Sequence, residues 1–167
     1  MVTCAQCGAP GSEAYCDELF QRLLALDHSR QPPWGPLHGV AVACFFLQHP
    51  DHRLAPADTD GARELVHAYL DGGQRAVDAF VERARRRNSH RGQHRQGGDQ
   101  RPRPVTAPSI LPDAAPRAFA TTIVDVSAGG DFPARTYEKL VLSWAEATVA
   151  ARPRTANRDP GPQQVGD

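Results

Sequence analysis

WGPLHGVAVACFFLQHP, residues 34–50, decides the fold. From Val40 to Leu47 no side chain is charged, so a helix here is apolar on every face and belongs inside the molecule. Pro36 is placed to open that helix and Pro50 to stop it, since proline suits a first helical turn and the residue before a proline leaves the helical region. His38 and His49 stand at its two ends. A polar group at the edge of so apolar a rod needs a partner.

Three cysteines upstream can supply one. In Cys4-Ala5-Gln6-Cys7-Gly8, two intervening residues let both thiolates point at one tetrahedral ion, and the following glycine accepts the left-handed backbone of such a knuckle. Residues 2–11 have no amphipathic period and contain Pro10-Gly11, which reads as a tight loop. Ser12 then caps a first helix that has Glu13, Asp17 and Glu18 near its start, the positive end of the helix dipole. Cys16, Leu19, Phe20, Leu23 and Leu24 trace its inward stripe. Cys16 lies in the opening turn, where side chains lean back toward the helix N-terminus and so toward the knuckle.

The fourth ligand is a choice between two imidazoles. His38 and His49 are eleven residues apart, about 16 Å along a straight helix, so they cannot share one ion. His38, beside the loop returning from the first helix, is the expected ligand. His49 is the reserve, expected instead to bond the backbone near the helix C-terminus. The competing readings of the Cys pair are a redox disulfide or two plain thiols. A thioredoxin-like site opens a helix after a strand, whereas Gly8-Ala9-Pro10-Gly11 follows here. The expectation is a structural Zn2+ closed by four protein ligands. An open fourth position would give a metal-dependent enzyme, but three thiolates make a poor Lewis acid. Cys44, set among Phe and Ala, reads as a small buried hydrophobe.

Around this centre the periodicity predicts a mainly α fold: a small helical bundle with an N-terminal Cys-rich, zinc-knuckle-like loop. Thr59-Asp60 caps a third helix with Ala62, Leu65, Val66, Tyr69 and Leu70 inward. Gly72-Gly73 then ends or bends it before Val77, Phe80, Val81 and Ala84 resume the pattern. The β-branched residues 121–126 predict one short extended segment, and Tyr137, Leu140, Val141, Trp144, Ala145 and Val149 mark a last helix. Residues 1–86 and 117–151 are expected to form a single domain. Residues 87–116 read as a flexible Arg/Pro/Gly-rich insertion and 152–167 as a disordered tail.

Length and composition agree with one cored domain: 167 residues, 40% hydrophobic and 23% charged, with zero formal net charge. The start Met1-Val2-Thr3-Cys4 lacks the basic and apolar regions of a signal peptide, and no apolar run approaches the ~20 residues that span a bilayer. A cytoplasmic protein with no membrane partner is expected, in which cysteines serve as ligands or buried thiols.

Charge is uneven along the chain. Residues 83–103 hold eight arginines against one acid, Asp99. Arg85, Arg86, Arg87, Arg91 and Arg95 are therefore candidate anion contacts and carry the alternative reading of salt-sensitive nucleic-acid binding. That stretch lacks the interleaved aromatics that stack bases, and a like-charged run is usually a solvated face. No catalytic residue can be assigned. Asp125 and Glu146 have no base or nucleophile to pair with, and no phosphate loop, nucleophile elbow or His-Glu-x-x-His helix is present. Trp34, Gln48 and His49 are candidates for a pocket at the ends of the central helix. The expected role is interaction with a protein partner rather than catalysis.

The Cys-x-x-Cys-Gly loop, the Cys16 helix with Phe20-x-x-Leu23-Leu24, His38-x-x-x-Val42 running into Leu47-Gln48-His49-Pro50, and the late Ile123-Val124-Asp125-Val126 with Trp144-Ala145 together resemble a bacterial family, domain-of-unknown-function family 5946. The resemblance covers about residues 1–86 and 117–151, and the Arg-rich stretch departs from it. It implies that Cys4, Cys7, Cys16, His38, Gln48 and His49 are family motif positions. It implies an arrangement without implying a reaction.

Overall fold

A computed structural model of the chain describes residues 2–52, 54–93 and 118–151, with the side chains of residues 56–57 and 88–93 outside the described set. Five helices carry the described regular structure: α1 (Glu13–His28), α2 (Trp34–Gln48), α3 (Pro56–Gln93), α4 (Ile123–Ser127) and α5 (Ala134–Ala150), with a 3-10 turn at Pro50–His52. No strand forms among the described residues beyond an isolated antiparallel bridge between Thr3 and Pro10.

The uncharged helix α2 is the central rod. Its buried residues, Leu37, Val40, Ala41, Ala43, Cys44, Phe45, Leu47 and Gln48, cover more than half the circumference, and Val42 and Phe46 on the remaining side are half-buried. It packs against α1, α3 and α5. The helix starts at Trp34, so Pro36 lies in its first turn, and Pro50 opens the 3-10 turn just beyond its end. Ser12 caps α1 by accepting from the Tyr15 amide at 3.2 Å. From there α1 buries Cys16, Leu19, Phe20 and Leu23. Residues 29–33 turn the chain back, and α1 and α2 run antiparallel as a helical hairpin. One turn in from Cys16 and His49 the Phe20 and Phe45 rings stack, with centroids 3.9 Å apart and planes within 1°.

Three details differ from the sequence expectation. First, α3 begins before the Thr59-Asp60 cap, because the Asp58 and Thr59 amides both donate to the Ala55 carbonyl at 2.9 Å. Second, α3 continues to Gln93, with Gly72 and Gly73 non-helical inside it. Gly73 has φ of 61°, which a side chain would resist, so the pair makes a kink. Residues 87–93, expected in the flexible insertion, are thus helical. The rest of that insertion and the tail 152–167 lie outside the described residues. Third, the expected extended segment is helix α4. The Asp125 carboxylate accepts from the Thr122 amide at 2.8 Å and from the Thr122 hydroxyl at 2.9 Å. Such capping is worth about 1 kcal/mol, against a few tenths per residue for the β-branched reluctance of Ile and Val. The local polar bonds win.

No helix among the described residues is long and apolar enough to cross a membrane. Replacing Asp125 with Ala removes the oxygen that accepts both bonds at the start of α4. The expected cost is about 1 kcal/mol, read as a lower urea midpoint with an unchanged denaturant slope.

Candidate metal centre

The N-terminal loop is shaped by its own backbone. The Cys4 amide donates to the Ala9 carbonyl and the Gly8 amide to the Cys4 carbonyl, each at 2.9 Å. Gly8 takes φ of 76°, the left-handed geometry that a knuckle needs. This folds Cys4 and Cys7 onto one side. Cys16, in the first turn of α1, comes to them with its Sγ 3.8 Å from that of Cys7. All three are free thiols and buried.

The imidazole that joins them belongs to His49. One ligand atom from each of Cys4, Cys7, Cys16 and His49 lies within 4.8 Å of the others, and all four residues are buried. Such a group could hold a metal ion. His38, the ligand first expected, sits elsewhere: its Nδ1 lies 2.8 Å from Asp27 Oδ2. The reason is the hairpin. Antiparallel packing puts the start of α1, with Cys16, beside the end of α2, with His49. The end of α1, with Asp27, meets the start of α2, with His38.

His49 is presented in a defined way. It follows the last residue of α2, and its Nδ1 lies 2.9 Å from the Phe45 carbonyl oxygen. A carbonyl only accepts, so Nδ1 carries the proton and neutral His49 offers a lone pair at Nε2. That Nε2 is buried and makes no hydrogen bond. The ring also stacks on Phe45 with centroids 4.2 Å apart. A backbone carbonyl that fixes the tautomer of a histidine is what orients metal-binding imidazoles. The turn beyond it is tied to the knuckle, since the Asp51 amide donates to Gln6 Oε1 at 2.9 Å.

The thiols titrate as a coupled set. Cys7 is drawn down, first by the Cys16 S–H, against the opposing effect of burial. Cys16 is pushed up, first by that same hydrogen bond to Cys7 and then by burial, and Cys4 is raised by burial. One thiolate at a time is easily held; three at this spacing repel unless a cation lies between them. Cys44 is separate from the group. Burial pushes its thiol up to about 12, consistent with a small apolar filler.

The remaining candidates scatter. Trp34 and Gln48 stand at opposite ends of α2, about 21 Å apart along its axis. Trp34 Nε1 donates to the Phe132 carbonyl at 2.9 Å. Gln48 Nε2 donates to the Thr121 carbonyl and to Thr148 Oγ1, both at 3.0 Å. Arg85, Arg86 and Arg87 are exposed on α3, and Arg86 Nε bonds Glu82 at 3.0 Å. The Arg91 side chain and Arg95 lie outside the described residues.

Fold and site together define a small helical protein whose N-terminal loop, first helix and central helix gather three cysteines and one histidine. The chain belongs to the Family of unknown function (DUF5946), whose model matches residues 2–153. No curated protein and no solved structure matches it.

Cys44 should resist alkylation. At pH 8 a thiol titrating near 12 is about one part in ten thousand thiolate. Iodoacetamide on the folded chain should leave it unmodified in a peptide map, while urea exposes it.

Proposed function

We propose that Cys4, Cys7, Cys16 and His49 hold one structural Zn2+ and that the protein acts through binding a protein partner rather than by catalysis. The observation that carries this is the His49 imidazole, with Nδ1 on the Phe45 carbonyl and a buried, unbonded Nε2 facing three thiols. Leaving such an atom unsatisfied costs about 1–3 kcal/mol. A ligated cation removes that cost and the repulsion among thiolates together.

The donor set favours zinc. Three sulfurs and one imidazole nitrogen suit a tetrahedral, borderline-soft ion and form a closed structural set. The four side chains are at most 1% exposed, which leaves no path for a substrate. That burial supports a structural ion over a catalytic one. The ion would fasten the knuckle to both helices of the hairpin. The contacts of α1 and α2 with α3, α4 and α5 support reading the segments on either side of residues 94–117 as one folding unit.

Protein purified without a histidine tag should carry about one equivalent of zinc by elemental analysis, and Co2+ substitution should give the spectrum of a tetrahedral thiolate site. His49→Ala and Cys16→Ser should each lose most of the metal and lower the melting temperature. His38→Ala should retain the full equivalent. Zinc-free protein that melts as the loaded protein does, or a His38 variant that loses metal as the His49 variant does, would overturn the assignment. Acidification should release the metal, because protons compete for the thiolates as pH falls.

A further inference from the structure

The other end of the hairpin carries a second site. A pocket of about 550 Å3 lies where α1 ends and α2 begins, lined by Leu24, Asp27, His28, Arg30, Gly35 and His38. Asp27 is 5% exposed, a burial that a carboxylate resists, and burial raises its pKa. Its Oδ2 meets His38 Nδ1 at 2.8 Å, while its Oδ1 is buried and makes no hydrogen bond. The His38 side chain is 52% exposed. A buried carboxylate under an exposed imidazole gives little to packing. It does fix a tautomer: with Asp27 ionised it accepts the proton on Nδ1, so neutral His38 turns an Nε2 lone pair toward the pocket.

Arg30 is set beside it by the turn. Its φ is 55°, the left-handed region that a side chain seldom takes. Its amide donates to the Asp27 carbonyl at 2.9 Å. Gly35 clasps it from the other side: a Cβ on Gly35 would come within 2.6 Å of the Arg30 Cα and carbonyl carbon. No other residue than glycine fits there without moving Arg30. The lining therefore includes an arginine, the residue type whose guanidinium binds oxyanions, and an imidazole acceptor, which takes an O–H. The one acid in the lining has one oxygen engaged with His38 and the other out of reach of solvent.

We propose that this pocket binds a small oxyanion that also carries an O–H, with Arg30 on the anionic oxygens, His38 Nε2 accepting from the O–H, and Asp27 positioning His38. Hydrogen phosphate and a 2-hydroxycarboxylate share this chemistry. The site is independent of the thiols at the far end of the hairpin, and its test does not depend on zinc.

The test is an NMR titration of the imidazole nitrogens in the 15N-labelled full chain, with inorganic phosphate, glycolate and acetate in separate arms. A saturable shift of His38 is expected with phosphate or glycolate at a midpoint of about 10 mM or tighter, and the tighter arm identifies the source. Acetate, which lacks the hydroxyl, should bind at least fivefold more weakly than glycolate. Arg30→Gln, a change at an exposed position, should weaken binding at least tenfold with an unchanged thermal melt. Asp27→Asn should redistribute the His38 tautomers in the same spectra and shrink the preference for glycolate; a merely structural Asp27 would leave both alone. The proposal fails if neither phosphate nor glycolate saturates, if acetate equals glycolate, or if Arg30→Gln leaves the midpoints where they were.

Discussion

Residues 29–33 form a connection too short for α2 to do anything but return along α1, and much of the chemistry of this protein follows from that return. Cys16 and Asp27 lie eleven residues apart on α1, and His38, on α2, and His49, its C-cap, also lie eleven apart. With the helices antiparallel the two spacings match end to end. Cys16 meets His49 at one end and Asp27 meets His38 at the other. Between them the stacked Phe20 and Phe45 rings fill the seam, so the polar pairs are separated by apolar packing and about 16 Å of helix.

The same rule shows what was legible in the sequence. The buried rod, the Cys16 stripe and the left-handed Gly8 were readable because each is a local pattern of side-chain size or backbone freedom. The choice of histidine was not local. Proximity to the returning loop favoured His38, yet that loop joins α2 to the end of α1, whereas Cys16 sits at its start. Antiparallel pairing, implied by a connection of this length, would have pointed to His49. Pro50 adds a further reason, since it ends α2 and leaves the His49 side chain free to turn back onto the Phe45 carbonyl.

Residues 121–126 depart from the expected extended segment for a different cause. Ile123, Val124 and Val126 favour extended backbone, but that preference is weak beside two hydrogen bonds from Thr122 to Asp125. The helix they start packs on α1 and α5, and the chain just before it is tied to the rod by Gln48, whose amide bridges the Thr121 carbonyl and Thr148. The Phe119 amide donates to the Cys7 carbonyl at 3.2 Å. Chain from the second half of the sequence thus meets the knuckle directly, and the adjacent pair Gln48 and His49 serves both neighbours. Sequence shows two polar residues at a helix end; only the fold shows that they face different partners.

The two ends of the hairpin differ in the way that decides their chemistry. At the thiol end every candidate ligand is sealed from water, so any charge developed there must be neutralised within the group, and a cation is the economical means. At the other end the carboxylate is buried but the imidazole is half open, so the sealed charge is passed through a hydrogen bond to a group that solvent or a ligand can reach. Burying Asp27 is costly, and the hydrogen bond to His38 offsets part of that cost. The same antiparallel packing therefore buries one polar cluster completely and leaves the imidazole of the other half open to solvent.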